Sequence, residues 1–252
     1  MAILLTLLNG PALGHDGEFY KLNPAPPRIT AVSGRCPQLY FGGLSQDARE
    51  AAARPADVYL MWLDRMEVMA EIIAAMTARA AYYGRSLRFG YRVRVAVRDT
   101  QALAREVADR LLSRLDNAEG AAIRNRSLDN GSEGVRRRAE LRQAASGDGF
   151  VEDNLWSGIG RARSGCGAAI VGDPDQVLAK LNAYRALGME AFILSNYLHA
   201  AETDLFARHV LPRLEQGPLV EALGQTGSNP ARKGSCTRPC RFPISILNYR
   251  HR

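Results

Sequence analysis

The chain has 252 residues, of which 46% are hydrophobic and 23% charged, a balance typical of a globular protein with a sizeable core and unlike a disordered or collagen-like chain. Its formal net charge of +7 comes mostly from six basic residues in the acid-free segment 224–252; without them 27 basic and 26 acidic residues remain, so a broad nucleic-acid-binding surface is not expected. No apolar run approaches the roughly 20 residues of a membrane-spanning helix, so we expect no membrane association.

Short apolar runs alternate with amphipathic stretches in the first half of the chain. A leucine-rich helix at 3–8 and a strand or turn at 17–22 come first. The run 38–42 predicts a buried strand that ends in a glycine pair, followed by a helix that begins near Ser45. A second strand, 57–62, precedes a helix that Asp64 is placed to cap. The alternating run 87–97 predicts a third strand, followed by a helix to about residue 115.

The second half begins with an unusual segment at 116–167, which is rich in glycine, asparagine, serine and arginine. It contains one helical stretch, 132–145, and is too long for an ordinary connection. Two interpretations stay open: an insertion that covers a site, or a disordered segment. The Asp-Pro pair at 173–174 then opens a helix that ends at 188, followed by a strand at 191–195 and a helix at 200–214.

Alternation of strands and helices predicts an α/β fold with parallel strands joined by helical crossovers. Four such units are evident, with strands near 38, 57, 87 and 191. A complete (β/α)8 barrel needs eight units in about 250 residues, so the chain has the length of a barrel without its units. The segment 224–252 has no periodicity and is expected to be a disordered basic tail.

The four cysteines are too few and too scattered for a disulfide scaffold and suit a reducing, cytoplasmic compartment. Cys236 and Cys240 form the one close pair, but only His251 lies nearby as a further ligand, so no metal is expected. Cys166 stands among glycines, where a small hinge residue is expected rather than a nucleophile.

A series of motifs resembles one family in order and spacing from about residue 3 to 215. They are YFGG at 40–43, YLMW at 59–62, RFGYRVRV at 88–95, NLWSGIGRARSG at 154–165, VGDP at 171–174 and FILSNYLH at 192–199. Together they resemble the carboxyl two-thirds of an FMNH2-dependent alkanesulfonate monooxygenase of the bacterial luciferase-like superfamily.

The resemblance implies a partial (β/α)8 TIM barrel over residues 1–223, with strands that correspond to the fifth to eighth of the family. The insertion, about 116–167, then corresponds to the family's lid, and 224–252 follows as a separate tail. The family's first four strands have no counterpart here, which suggests a truncated form. A half barrel leaves two strand edges open, so we expect association into a homo-oligomer.

The resemblance also implies a reaction and partners. A separate NAD(P)H-dependent FMN reductase supplies the reduced flavin, FMNH2, and with O2 the enzyme cleaves the carbon–sulfur bond of an alkanesulfonate to an aldehyde and sulfite. The alternative is a catalytically inactive remnant that only binds flavin or associates with intact subunits. A nucleic-acid-associated role of the basic tail is a third and weaker hypothesis.

Arginines are the first candidates for chemistry, because a sulfonate keeps its charge and suits forked, fixed cations. Arg92 and Arg94 alternate on one predicted strand and therefore share a face, which is either inward and functional or outward and solvated. The resemblance implies the inward reading and adds Arg163 as an arginine that closes on the anion. The family often has histidine at the position of Arg94. An arginine there is expected to contribute positive charge and not to transfer protons.

Tyr197 and His199 follow the last strand, where catalytic residues of barrels collect. A tyrosine can donate a proton to a departing group and a histidine can relay one, whereas ordinary packing and an exposed loop are the structural alternatives. The resemblance also points to residues of the flavin pocket. Trp62 is implied as a wall of that pocket, with plain core packing as the structural alternative. Gly42, Gly43 and Ser45 are implied as a phosphate-binding turn at the start of a helix, with an ordinary tight turn as the alternative.

Overall fold

The computed structural model describes residues 2–10, 12–25, 36–126, 131–161 and 167–216. The chain divides into a compact unit, Met1–Glu215, and a second segment, Gln216–Arg252, of which only Gln216 lies within the described residues. The expected tail at 224–252 and the candidate residues Arg163 and Cys166 therefore lie outside them.

The helices and strands follow the predicted alternation. The helices are α1 (Ala2–Leu8), α2 (Gln46–Ala53), α3 (Met66–Tyr82), α4 (Gln101–Leu112), α5 (Asn117–Asn125), α6 (Glu133–Gln143), α7 (Pro174–Ala186) and α8 (His199–His209), with 3₁₀ turns at Gly158–Arg161 and Leu211–Arg213. The strands are β1 (His15–Asp16), β2 (Lys21–Leu22), β3 (Tyr40–Phe41), β4 (Val58–Trp62), β5 (Arg88–Val97), β6 (Phe150–Glu152), β7 (Leu155–Trp156), β8 (Ala169–Gly172) and β9 (Met189–Ser195). Within these described residues, no helix is long and apolar enough to cross a membrane.

The four predicted strands are confirmed as the parallel series β3, β4, β5 and β9 of a curled, partial barrel sheet. The strand β5 is central, because β4 pairs with its first half and β9 pairs along the opposite edge. Beyond the end of β4, the short parallel strand β8 takes over the first edge of β5, from Arg94 to Val97. The antiparallel hairpin β6–β7 extends the sheet from β8.

The core lies between the sheet and the helices that follow its strands. Met69, Ile72 and Met76 form the buried face of α3, as their helical spacing predicts. On β5, the Tyr91 ring packs between Tyr184 and Phe192, with ring centroids 5.3 and 4.8 Å away. Burial of these rings fixes which face of β5 points toward the helices, and so which face is left for a site.

The insertion is folded across its described residues. Its helical stretch is confirmed as α6, whose first turn is capped by the Ser132 hydroxyl, which accepts from the Val135 N–H at 3.2 Å. The preceding α5, the hairpin β6–β7 and β8 were not predicted, because their runs are too short for periodicity to reveal. The segment therefore joins the sheet instead of forming a separate loop.

Three local predictions need correction. The first strand is Tyr40–Phe41 and not 38–42, because the Asp57 carboxylate accepts the Leu39 N–H at 2.9 Å in place of a ladder bond. Nor is this strand buried as predicted: it lies at the end of the sheet order, and Tyr40 is exposed. Asp64 does not cap α3: Arg65 holds the N-cap position without a side-chain bond. The last helix ends at His209, since Pro212 in the following 3₁₀ turn has no N–H to donate.

Candidate functional site

A cavity of about 490 Å³, the main cavity, lies beyond the ends of β3 and β4. Its walls come from three parts of the chain: the turn after β3, the end of β4 with its neighbour on β5, and the start of α6. The lining residues are Gly42, Gly43, Leu44, Ser45, Leu60, Met61, Trp62, Arg92, Gly131, Ser132, Glu133 and Gly134. Five of the predicted site residues thus meet around one space.

The turn after β3 brings backbone close to α2. A Cβ on Gly43 would lie only 2.6 Å from the Ala48 Cβ, so only glycine fits at this position. The Ser45 Oγ accepts the Ala48 N–H at 3.2 Å and caps α2, which leaves its hydroxyl proton free to point into the main cavity. Backbone N–H groups, a hydroxyl and a helix N-terminus are what a phosphate group requires.

Trp62 and Arg92 contribute the opposite wall. They are directly paired across β4 and β5. The neighbours of Arg92 on its own strand, Tyr91 and Val93, are fully buried in the core on the other face of the sheet. Alternation therefore places Arg92 on the face of the sheet opposite the core helices, where its exposed side chain lines the main cavity together with a flat aromatic ring.

Arg94 lies two residues further along β5 and belongs to a different group of side chains. It is 4% exposed and donates from Nη2 to the Tyr197 hydroxyl at 3.0 Å, with its guanidinium 4.1 Å from the centre of the Tyr197 ring. The His199 ring stands edge-on to Tyr197 at 6.0 Å between centroids. We call these three residues the Arg94 cluster; none of them lines the main cavity.

The charge of Arg94 is not balanced within the described residues. The nearby Glu202 carboxylate pairs with Arg98, and no carboxylate of the described residues forms an ion pair with Arg94. The buried Arg94 Nε has no hydrogen-bond partner. A buried cation in this situation is costly unless an anion joins it. The Arg94 cluster is therefore suited to bind a small, permanently charged anion beside a phenol that can donate a proton.

A buried polar network, which the sequence did not reveal, holds the Arg94 cluster in place. Glu202, in the first turn of α8, receives two N–H groups of Arg98 at 3.1 and 2.5 Å. The Asn196 amide donates to Glu202 at 3.2 Å and to the Val95 carbonyl at 2.8 Å. The segment that carries Tyr197 is thereby attached to the end of β5.

The insertion supplies the third wall of the main cavity, and its residues were also missed. Ser132 and Glu133 are polar residues at the start of α6. A hydrogen bond from Arg136 lowers the pKa of Glu133 below its usual value, so this carboxylate is ionised at neutral pH. Among the described residues, no three metal-ligating side chains come together.

The family model described as luciferase-like monooxygenase matches residues 1–191 of this chain. A sulfoquinovose monooxygenase of Novosphingobium aromaticivorans is 67% identical over 219 residues, which cover 87% of this chain and 60% of that protein. A sulfoquinovose monooxygenase of Agrobacterium fabrum is 48% identical over 219 residues, covering 86% of this chain and 57% of that protein. The chain thus spans well under two thirds of the length of these relatives.

Solved structures share the fold. DmoA from Hyphomicrobium sulfonivorans superposes with a TM-score of 0.61 at 18% identity, covering 86% of this chain and 51% of that one. A type II Baeyer–Villiger monooxygenase, the oxygenating constituent of 3,6-diketocamphane monooxygenase from Pseudomonas putida in complex with FMN, gives 0.56 at 14% identity and covers 86% and 62%. At these identities the likeness establishes the barrel fold alone.

Proposed function

Because this chain belongs to the luciferase-like monooxygenase family, we propose that it binds FMN in the main cavity and takes part in the oxidative cleavage of a sulfonated sugar, sulfoquinovose. One observation carries the proposal. The turn at Gly42 and Gly43, the Trp62 ring and the Arg92 guanidinium, which are far apart in sequence, line a single cavity in the position where barrel enzymes bind ligands.

The residues of the main cavity fit a flavin mononucleotide. The glycine turn and Ser45 offer N–H and hydroxyl donors at the start of α2 for the phosphate. Trp62 gives a flat wall for an aromatic ring system, and Arg92 a cation for its anionic groups. FMN is the cofactor in one solved structure of the same fold.

The sulfonate is assigned to the Arg94 cluster, since Arg94 is a buried arginine whose Nε has no partner. Two relatives of this chain are named for sulfoquinovose, so we propose the sulfonated sugar in place of the alkanesulfonate that the sequence resemblance implies. Ser132 and Glu133 at the rim of the main cavity are polar partners suited to sugar hydroxyls and unsuited to an alkyl chain.

The proposed reaction consumes one sulfonate, one O2 and one FMNH2 and gives an aldehyde, sulfite, FMN and water. One oxygen atom goes to the carbon that loses sulfur and the other to water. When bound, reduced flavin supplies the electrons that activate O2. The protein orients the sulfonate through Arg94, donates a proton from Tyr197 and excludes water with the insertion.

The proposed reaction consumes reduced flavin, so a partner that supplies it is needed. We propose an NAD(P)H-dependent FMN reductase in this role, as in two-component flavin monooxygenases.

The test is an assay of sulfite release by the purified chain with FMN, NADH, a flavin reductase and O2. Sulfoquinovose is compared with octanesulfonate, and FMN binding is followed separately by quenching of flavin fluorescence. We expect FMN binding and sulfite release that favours sulfoquinovose. FMN binding without sulfite from either substrate would instead favour the inactive, flavin-binding form, and absence of FMN binding would overturn the proposal.

A further inference from the structure

The helix α6 presents an unusual face to the barrel. Its buried residues are Gly134, Arg138 and Leu141, which recur at the spacing of one helical face. An arginine in the middle of a buried helix face is unexpected, and Arg138 is only 4% exposed. What Arg138 packs against therefore explains why α6 lies where it does.

Gly134 and Arg138 both contact the Trp62 ring, and we call this pair the indole slot. A Cβ on Gly134 would lie 2.6 Å from the Trp62 Cζ3 atom, so the helix backbone itself touches the ring. The Arg138 guanidinium carbon lies 3.3 Å from the centre of the same ring. A planar guanidinium at this distance stacks on the indole and adds a cation–π attraction.

Arg138 is itself held from two other directions. Its Nε donates to the Gly134 carbonyl at 3.2 Å, which fixes the side chain along its own helix. A Cβ on Gly167 would lie 2.8 Å from the Arg138 Cδ atom, so the stem of the arginine packs against the backbone that leads into β8. The side chain therefore lies between the Trp62 ring and the backbone that leads into β8.

The contact between Arg138 and Trp62 links two walls of the main cavity. Trp62 is one wall, and the residues just before the indole slot, Ser132 and Glu133, form the rim. The contact between Trp62 and Arg138 fixes the position of the Trp62 wall relative to the rim, because Arg138 lies on the helix that Ser132 caps. Loss of the stack would free the ring and the rim together.

We propose that Arg138 is a positioning residue, which fixes the Trp62 ring and holds the amino end of α6 at the main cavity without touching the ligand. The inference deepens the proposed function, since it takes the main cavity to be the flavin site. The contact between α6 and Trp62 does not depend on that assignment.

The test is hydrogen exchange measured by mass spectrometry on the full chain without flavin, followed by FMN titration. Arg138→Met keeps an aliphatic stem and removes both the charge and the stacking plane, whereas Arg138→Lys keeps the stem and the charge and removes only the plane. We expect amides of 131–143 to exchange about fivefold faster in Arg138→Met, with Arg138→Lys intermediate, and FMN affinity to fall by a similar factor. Exchange in α7 is the internal reference for an intact fold.

Arg105→Met is the matched control. The Arg105 guanidinium carbon lies 4.1 Å from the centre of the Phe150 ring, and neither residue lines the main cavity. Trp62→Leu should accelerate the same amides, and the double variant Trp62→Leu/Arg138→Met should add little, as coupled contacts require. Unchanged exchange at 131–143 in Arg138→Met, or fully additive effects, would overturn the proposal. If the variants show the expected exchange differences but the wild-type chain binds no FMN, the flavin assignment is refuted and the positioning role of Arg138 stands.

Discussion

Trp62 and Arg92 are direct neighbours across the parallel strands β4 and β5, and both line the main cavity. An aromatic plane and a forked cation thus sit side by side at the same depth in the barrel. A ligand with a flat ring system and a negative charge can use both residues simultaneously, which makes Arg92 a sensitive position for testing the flavin assignment.

Replacement of Arg92 should weaken FMN binding strongly. Hydrogen bonds to charged groups contribute about 1.5–3 kcal/mol, so we expect Arg92→Met to raise the FMN dissociation constant by at least about tenfold. Arg92→Lys should recover part of the loss, because it restores charge without the fork. Flavin fluorescence quenching measures both constants.

Arg88→Met is the control for this prediction. Arg88 lies at the other end of β5 and pairs with Glu190 at 2.8 Å, remote from the main cavity. Equal FMN dissociation constants in Arg88→Met and Arg92→Met would show that Arg92 does not contact the flavin.

Arg94 should affect the stability of the ligand-free chain, because burial of its unpaired charge is unfavourable before any ligand binds. We expect Arg94→Met to raise the free energy of unfolding by about 1 kcal/mol, since the apolar side chain removes an unbalanced charge from a buried site. The lost cation–π contact with Tyr197 offsets part of that gain. Urea denaturation measures the difference.

The same variants test anion binding at the Arg94 cluster. Added sulfite should stabilise the wild-type chain and leave Arg94→Met unchanged, because the proposed anion site depends on the charge of Arg94. If sulfite stabilises both chains equally, its binding site lies elsewhere.

Much of the fold was predictable because its signals are local. The alternating run at 87–97 fixed both the strand β5 and the shared face of Arg92 and Arg94. The glycine pair at 42 and 43, followed by Ser45, indicated the turn into α2. In each case the pattern that reveals the element lies within a few residues along the chain.

The missed parts depend on distant partners. Glu202 and Arg98 are 104 residues apart, and the Met66 N–H finds its acceptor in Glu152, 86 residues later. No spacing rule connects such residues. The packing of α6 on Trp62 was hidden for the same reason: its arginine-rich sequence is typical of a solvated helix, and only the fold shows that Arg138 is buried.

Glu152 should be important for stability although no motif contains it. It accepts from the Lys180 ammonium at 2.6 Å, the Tyr184 hydroxyl at 3.2 Å and the Met66 N–H at 3.3 Å, which joins the hairpin β6–β7 to α3 and α7. Lys180 is only 11% exposed, so loss of its partner leaves a poorly solvated charge.

We expect Glu152→Gln to lower the free energy of unfolding by about 2–3 kcal/mol in urea denaturation. The control is Glu215→Gln, which breaks the exposed pair with Arg185 and should change stability by no more than about 0.5 kcal/mol. Similar losses in the two variants would mean that Glu152 acts as an ordinary surface charge.

Asp64 gives a prediction for the pH dependence of stability. Burial raises the pKa of this carboxyl above its usual value, so the folded state binds its proton more tightly than the unfolded state does. The contribution of Asp64 to stability is therefore most favourable below about pH 4 and declines as the pH rises through the folded-state pKa. At neutral pH the ionised carboxylate opposes folding.

Asp64→Asn cannot ionise, so it should be more stable than the wild-type chain at neutral pH, by about 0.5 kcal/mol. The difference should shrink as the pH falls through the folded-state pKa and vanish once the carboxyl is protonated in both the folded and the unfolded chain. Asp148→Asn should behave oppositely, because the hydroxyl of Ser146 lowers the pKa of Asp148 and favours its ionised form in the fold. Urea denaturation of the three chains between acidic and neutral pH measures these differences, and a stabilisation by Asp64→Asn that persists unchanged at acidic pH would show that burial of the charge is not its cause.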